Sequence, residues 1–321
     1  MPREPGSHGG RRAERESNRS RMAEPIASVV IPTHKRPRAL GECLEALSRQ
    51  TLPTADFEVV VVDDGSPEPL DEVVGPFRGR LAVRLIHQAN AGPAAARNRG
   101  MAEAVAPLVA FTDDDCRPMP EWLGALVAAE REHPGALVGG STENGLPDDV
   151  FATTSQLIVD LVYEHFNSDH ANAYFLASNN ILCSRERLLA MGGFDDTFAR
   201  AGGEDRDFCD RWRGAGYGMV WRPEARVEHR HPQTLASFVD LHLRYGRGAR
   251  IYHANRQVRG SGTMREDLGF HRSLPRRIWK RIGRPMGYGR SLRVVGALAL
   301  WQVVNAAGFF SAGAREASVD G

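Results

Sequence analysis

The sequence predicts an α/β fold in which a doubly wound, mostly parallel sheet is flanked by helices and followed by a C-terminal helical appendage. Short β-branched runs alternate with helix-period segments over residues 27–130, the pattern of βαβ units joined by right-handed crossovers. Two of these runs, EVVVVDDGS at 58–66 and LVAFTDDDC at 108–116, break into clustered carboxylates, which suggests a shared crevice at the carboxyl edge of a parallel sheet. From residue 233 the alternation gives way to long basic and apolar stretches.

In chain order, ASVVIPTH (27–34) reads as a buried strand, and Leu40, Leu44 and Leu47 mark one face of a helix from about Arg38 to Arg49. Strands at 58–62 and 81–88 follow, then a helix opened by Gly-Pro within NAGPAAARNRGMAEA (90–104), then the acid-tipped strand 108–112. Past Pro134 the regularity loosens. GALVGGSTENGLP reads as a strand running into a loop, and 151–166 has helical spacing through Phe151, Leu157 and Leu161. Residues 178–198 give a strand, a short helix capped by Ser184, and a stop at Gly192-Gly193. EDRDFCDRWRGAG (204–216) is a helix with Phe208 and Trp212 on its core face, and 219–231 closes the domain with two short extended pieces. The apolar stretch 292–310 is interrupted by Arg293, Gln302 and Asn305. A clean transmembrane helix needs ~20 uninterrupted apolar residues, so an amphipathic, interfacial helix is the expectation ahead of a true span.

With 321 residues and 42% hydrophobic content the chain can bury a sizeable core, which excludes the disordered and fibrous classes. A net charge of +1 conceals an asymmetry: residues 271–293 hold Arg272, Arg276, Arg277, Lys280, Arg281, Arg284, Arg290 and Arg293 without one acid. Such a stretch seeks an anionic surface. Cys43, Cys116, Cys183 and Cys209 form no C-x-x-C pair, so neither a zinc ribbon nor a disulfide framework is implied, and a reducing cytoplasm is expected. Residues 1–24 are polar, lack the apolar core of a secretory signal, and are expected to be a disordered tail. Met22 stands just before the first strand, and translation is hypothesised to start there; an intact mass of the native protein at the full-length value would refute this.

Asp113, Asp114 and Asp115 repel one another unless a cation sits among them, so this strand end reads as a metal site. A short acidic run suits Mn2+ or Mg2+, which keep several waters and bind through only one or two protein carboxylates. An exposed acidic turn is the alternative, and the apolar strand ahead of it speaks against that. Asp63-Asp64-Gly65-Ser66 makes a good turn, which accounts for the glycine and serine but not for two acids at the sheet edge.

SVVIPTHKR, VVVVDDGS, NAGPAAARNRG, FTDDDC, the SNN and GGFDDTF segments and GGEDRDFCDRW follow one another in the order and spacing of family-2 glycosyltransferases of GT-A fold, which the chain resembles over 27–231. The resemblance implies an inverting transfer of sugar from a nucleotide-diphosphate donor, with a UDP-sugar expected, to a hydroxyl of a glycan, lipid-linked or small-molecule acceptor. Mn2+ or Mg2+ fits this chemistry, because a departing diphosphate builds negative charge that a divalent cation clamps. By the family's Asp-x-Asp motif, Asp115 is expected on the metal and Asp113 towards the ribose, with a register through Asp114 left open. Asp63 resembles the nucleobase contact, and Pro32 and Thr33 match the nucleotide loop. Arg97 resembles a base or phosphate contact, the alternative being an ordinary solvated helix arginine. Glu204-Asp205 resembles the family's Glu-Asp motif, in which the aspartate takes the acceptor proton, so Asp205 is the expected base and Glu204 the second choice. Both also suit a helix N-terminus as dipole partners, and that dipole lowers a carboxyl's pKa, unhelpfully for a base. His229 resembles a further metal ligand, with His231 close enough to serve instead. Asn180, Gly193 and Asp195 resemble walls around the donor sugar and acceptor.

Three other functions fit the sequence less well. A sugar nucleotidyltransferase needs a Gly-rich, Arg-containing phosphate loop near the N-terminus, yet IPTHKRPRAL has no glycine before Gly41. No G-x-G-x-x-G follows the first strand, which argues against a dinucleotide oxidoreductase. A catalytically silent membrane-associated scaffold is disfavoured by the full set of acids. The expectation is thus a tail over 1–24, a GT-A catalytic domain over 25–232, and a basic and apolar helical appendage over 233–321 that holds a cytoplasmic enzyme peripherally at the inner membrane face. An anionic membrane surface is an expected partner and nucleic acid is not.

Overall fold

Val29, Val30 and Ile31 of strand β1 (Ala27–Thr33) are fully buried, as a β-branched run is when its sheet is covered on both faces. β1 pairs in parallel with β2 (Phe57–Asp64) and β4 (Leu108–Thr112), and β2 with β3 (Ala82–Gln88). The computed structural model describes residues 24–198, 202–282 and 287–316; the expected tail through residue 23, Met22 included, and Arg284 of the basic run lie outside the described residues. Four further strands, β5 (Cys116–Pro118), β6 (Leu137–Asn144), β7 (Asn180–Ser184) and β8 (Met219–His229), complete an eight-stranded sheet ordered β3-β2-β1-β4-β7-β6-β8-β5. β7 is antiparallel to β4 and β6, β5 is antiparallel to β8, and β6 runs parallel to β8. The N-terminal half is wholly parallel and the C-terminal half mixed.

Successive side chains of β1 point to opposite faces. Val29 and Ile31 pack with Leu40 and Leu44 of α1 (Pro37–Leu47) and with Trp122 and Leu126 of α4 (Trp122–Glu132), whereas α2 (Asp71–Val74) adds Val74 to the same face. Val30 packs on the other face with Ala96 of α3 (Pro93–Glu103) and with Phe208 and Trp212, the expected core residues. A Cβ added at Gly100 would stand 2.3 Å from Val30 Cγ1, so α3 lies directly on the sheet. The chain continues through α5 (Val150–Phe166), α6 (Arg185–Ala190), whose N-cap is Ser184 as expected, and α7 (Glu204–Gly214).

Two elements depart from the sequence reading. Residues 219–229 of the expected 219–231 segment form one long strand, β8, rather than two pieces. Its ladder with β6 skips between the pairs Gly139–Trp221 and Ser141–Arg226, so Pro223, which has no N–H to donate, falls in the bulge. The three-residue β5 was not expected, being too short to show a period.

The tail forms α8 (Leu235–Arg259), α9 (Arg265–Arg281) and α10 (Tyr288–Glu316). Leu157 and Leu161 of α5, Phe238 of α8, and Val294, Leu298 and Trp301 of α10 make a third core. Glycines let these backbones touch. A Cβ at Gly246 would lie 2.1 Å from the Asn305 carbonyl oxygen, and one at Gly248 would lie 1.4 Å from the Gly202 carbonyl oxygen, just ahead of α7. The helix over Tyr288–Ser311 is long and apolar enough to cross a membrane by length and composition, with a mean hydropathy of 1.5. One stripe is buried while Leu292, Val295, Val303 and Phe310 are exposed, the amphipathic character expected of 292–310.

Candidate active site

A cavity of about 590 Å³ opens at the carboxyl edge of β1, β2 and β4. Pro32 and Thr33 line it from the end of β1, Asp64 from the end of β2, and Asp113, Asp114 and Asp115 from the turn after β4. Across from them stand Ser178, Asn179 and Asp205, and α8 contributes Leu241, His242, Arg244 and Tyr245.

The three consecutive acids have different surroundings. Asp113 accepts a hydrogen bond from Arg97 Nη2 at 2.8 Å. Asp114 is buried towards β1, where its Oδ2 accepts from Thr33 Oγ1 at 2.7 Å; burial and the neighbouring Asp115 push its carboxyl up to about 6. Asp115 is held by hydrogen bonds and by charge. Burial alone would raise its pKa, but His229, His231 and Arg36 outweigh that and hold it well below the usual carboxylate range. Arg36 Nη1 bridges Asp114 at 3.1 Å and Asp115 at 2.7 Å, supplying countercharge from the loop after β1.

The β5–β8 ladder joins Asp115 to two histidines. It sets Cys116 opposite His229, and the Arg230 N–H donates to the Asp115 carbonyl at 2.8 Å. His229 Nε2 then lies 3.3 Å from Asp115 Oδ1, and His231 Nδ1 lies 3.0 Å from Oδ2. One ligand atom from each of the three residues falls within 4.8 Å of the others. Burial disfavours a charged His229 ring, yet the Asp115 carboxylate overrides this and raises its pKa. Asp115 Oδ1 is buried and makes no aligned hydrogen bond among the described residues, the His229 ring nitrogen at 3.3 Å included, and a carboxylate oxygen beside two imidazoles is a donor set that first-row divalent cations accept. The residues therefore fit a metal ion.

Glu204 and Asp205 open α7. Asp205 Oδ2 accepts the Ser178 N–H at 3.2 Å, while Oδ1 is buried without a hydrogen-bond partner among the described residues. Burial raises the Asp205 carboxyl against the pull of Arg97, so desolvation prevails over the helix dipole that was expected to lower it. Glu204 Oε2 accepts the Gly202 N–H at 2.7 Å, and burial with the adjacent Asp205 pushes its carboxyl up to about 7. Arg97 is no solvated helix arginine: it is 4% exposed and lies between Asp113 and Glu204, with Nη1 3.5 Å from Glu204 Oε1.

Pro32, Thr33, Arg97, Asp113, Asp115, Asp205 and His229 thus meet on one cavity, and five other candidates do not line it. Asp63 is turned away, accepting the Ser66 N–H at 3.0 Å and lying 3.0 Å from His87 Nδ1. Asp64 stands on the wall instead, where its carboxylate accepts the Ala91 and Gly92 N–H groups at 2.8 Å each and fixes the turn into α3. Asn180 is fully buried and ties strands together, accepting from Trp122 Nε1 at 2.7 Å and donating to the Ser141 and Ala225 carbonyls at 2.9 Å. Gly193 has φ 71° and packs closely against Asn98, away from the cavity lining. Asp195 accepts from Thr197 in an exposed turn, and Glu204 faces a second cavity behind the first. Sequence reasoning missed Arg36, Ser178, His242 and Tyr245. Of these only Arg36 carried a signal, a basic loop after β1 facing the acids of neighbouring strand ends.

The family model described as glycosyl transferase family 2 matches residues 28–191, and one described as the N-terminal domain of galactosyltransferase matches 160–233. The chain belongs to glycosyl transferase family 2 and is a glycosyltransferase of GT-A fold. It is 29% identical over 248 residues to a validoxylamine A glucosyltransferase of Streptomyces hygroscopicus subsp. jinggangensis, covering 67% of this chain and 59% of that protein. It is 35% identical over 228 residues to glycosyltransferase AglE of Haloferax volcanii, covering 70% of this chain and 73% of the relative. Among solved structures, a mannosyltransferase from Pyrobaculum calidifontis in complex with GDP-Man and Mn2+ superimposes with a TM-score of 0.60 at 18% identity, over 93% of this chain and 76% of that one. At that identity the likeness speaks for the fold alone.

Proposed function

We propose that the chain is an inverting, metal-dependent glycosyltransferase that takes sugar from a nucleoside-diphosphate donor, UDP-linked in our reading, and passes it to an acceptor hydroxyl with Asp205 as base. One observation carries the proposal: the Asp115–His229–His231 cluster and the unpartnered Asp205 Oδ1 face the same cavity. Asp205 Oδ1 accepts the proton of the acceptor hydroxyl as that oxygen attacks the anomeric carbon from the side opposite the departing diphosphate. The raised Asp205 carboxyl strengthens it as a proton acceptor. Asp115, His229 and His231 would hold the cation, whose chemistry when bound is to neutralise charge on the leaving diphosphate. Two imidazoles in the set favour Mn2+ over the oxygen-preferring Mg2+. Pro32, Thr33, Arg97 and Asp113 bound the nucleotide side, and Asp64 replaces Asp63 in that role.

The exposed apolar stripe of α10, with exposed Trp279 and the basic residues Arg272, Arg276 and Lys280 on α9, supports peripheral attachment to an anionic membrane surface, in our reading the cytoplasmic one. The buried stripe of α10 speaks against a span, because its Val294, Leu298 and Trp301 are already packed on α5 and α8. High salt releases the protein from membranes if charge dominates the attachment, and only detergent does so if the apolar stripe dominates.

The deciding experiment offers UDP- and GDP-sugars singly with Mn2+ and follows donor hydrolysis, then repeats the productive pair with Asp205→Asn. The variant should retain nucleotide binding and lose ~10²- to 10⁴-fold in kcat. Near-normal turnover of the variant removes Asp205 from the mechanism. A wild-type protein whose melting temperature ignores both UDP and GDP with Mn2+ removes the donor reading.

A further inference from the structure

A second cavity of about 530 Å³ lies behind the first, walled by apolar and aromatic side chains of α5, α8 and α10, among them Val162, Phe166, Tyr252, Trp301 and Phe309. The two cavities adjoin: Asp205, His242 and Tyr245 line both. At the far end Met264, Leu268 and Phe310 border the chamber and are themselves exposed, which makes an apolar mouth between α9 and α10. The chamber wall is thus mostly apolar, with Asp205 and His242 where it meets the first cavity.

Its polar end is unsatisfied. His242 is 2% exposed, and among the described residues neither ring nitrogen has a hydrogen-bond partner; its neighbours are the rings of Phe238, Tyr245 and Trp301. Burial lowers its pKa to about 4, so the imidazole is neutral near pH 7 and can both donate and accept. Among the described residues, Asp205 Oδ1 is a further buried polar atom there without a hydrogen-bond partner. Buried polar groups are costly unless paired, so two such groups at the head of a chamber call for a polar ligand head beside them. The remaining wall is mostly apolar, although Glu204, Arg206, Asp210, Gln302 and Asn305 also border it, so along its length it offers a hydrocarbon chain more contact than it offers hydroxyls.

We infer that the acceptor is a lipid-linked molecule whose apolar chain occupies this chamber, entering between α9 and α10, with its reactive hydroxyl between His242 and Asp205. The inference rests on Asp205 being the base, and it assigns the acceptor class that the donor chemistry leaves open. The exposed apolar stripe of α10 borders the same mouth through Phe310, which suits delivery from a membrane.

The test is calorimetry on the full chain loaded with Mn2+ and whichever of UDP or GDP binds, titrated with n-alkyl β-D-glucosides from butyl to decyl below their micelle concentrations. The Kd should fall about threefold or more per added methylene. Ala249→Trp and Ala306→Trp, which fill the chamber from α8 and α10, should abolish that gradient while leaving nucleotide affinity unchanged. A flat series on the wild-type protein overturns the inference whether or not the variants fold. A gradient that persists in both folded variants overturns it too, since the chains then bind elsewhere. Absence of nucleotide binding would instead overturn the donor reading, and the inference with it.

Discussion

His231 Nδ1 lies 3.0 Å from Asp115 Oδ2 although 116 positions separate them in the chain. The link is β5, whose three residues pair with β8 and carry the acidic turn onto the two histidines. A cluster assembled this way depends on a ladder as much as on its ligands.

Asp115→Asn, His229→Ala and His231→Ala should each weaken Mn2+ binding by about tenfold or more, as read by calorimetry. Ligation needs neutral imidazoles, and the pKa of His229 is raised above its ordinary 6.5, so proton competition begins at a higher pH than for a free histidine. Mn2+ affinity should therefore decline as pH falls through that range. Unchanged affinity in all three variants would place the cation elsewhere.

Arg97→Ala leaves Asp113 and Glu204 without their shared guanidinium, and unpairing buried charge of this kind costs about 3–5 kcal/mol. Arg97→Lys should recover only part of the loss, because an ammonium cannot reach both carboxylates as a fork does. Urea denaturation of the two variants against wild type measures both effects. Equal stability of all three would make the bridge irrelevant to folding.

The Glu204 carboxyl rises from its ordinary 4.5 to about 7 on folding, so the folded state binds the proton more tightly than the unfolded state. Stability from this group is fully present below 4.5 and is lost as pH rises towards 7, an effect of roughly 3 kcal/mol at most. Glu204→Gln should flatten that part of the pH profile and melt higher than wild type above pH 7. A wild-type profile with no fall between these values contradicts the assignment.

Gly248→Ala would put a methyl 1.4 Å from the Gly202 carbonyl, so α8 or the turn into α7 has to shift. Because Asp205 begins one turn further on, the variant should lose kcat more than donor affinity, by ~10²-fold if the base moves by about an ångström. Ala at Gly214, where an added Cβ meets nothing within 4 Å, is the matched control.

Periodicity carried most of the parallel half. The β-branched runs of β1, β2 and β4 and the leucine face of α1 are visible without neighbours, as are the Ser184 cap and the core placement of Phe208 and Trp212. What was not legible depended on contacts far apart in the chain. Asp63 and Asp64 are equivalent in sequence, and only the turn into α3 decides which one faces the cavity. Asn180 looks like a ligand residue, but Trp122 and two carbonyls from separate strands already occupy its amide. Arg97 has the spacing of an ordinary surface residue until Asp113 and Glu204 close around it. Both histidines approach Asp115, where sequence had offered one or the other, because residues 229 and 231 share one side of an extended chain.

The helices after residue 232 place Leu241, His242, Arg244 and Tyr245 opposite the acidic strand ends. A chain ended at that point keeps every carboxylate of the site but leaves it a trough open to bulk solvent. Water then competes with the acceptor for the activated sugar on equal terms. On the proposed mechanism, fidelity of transfer over wasteful cleavage would rest on the C-terminal segment and not on the strand-borne acids.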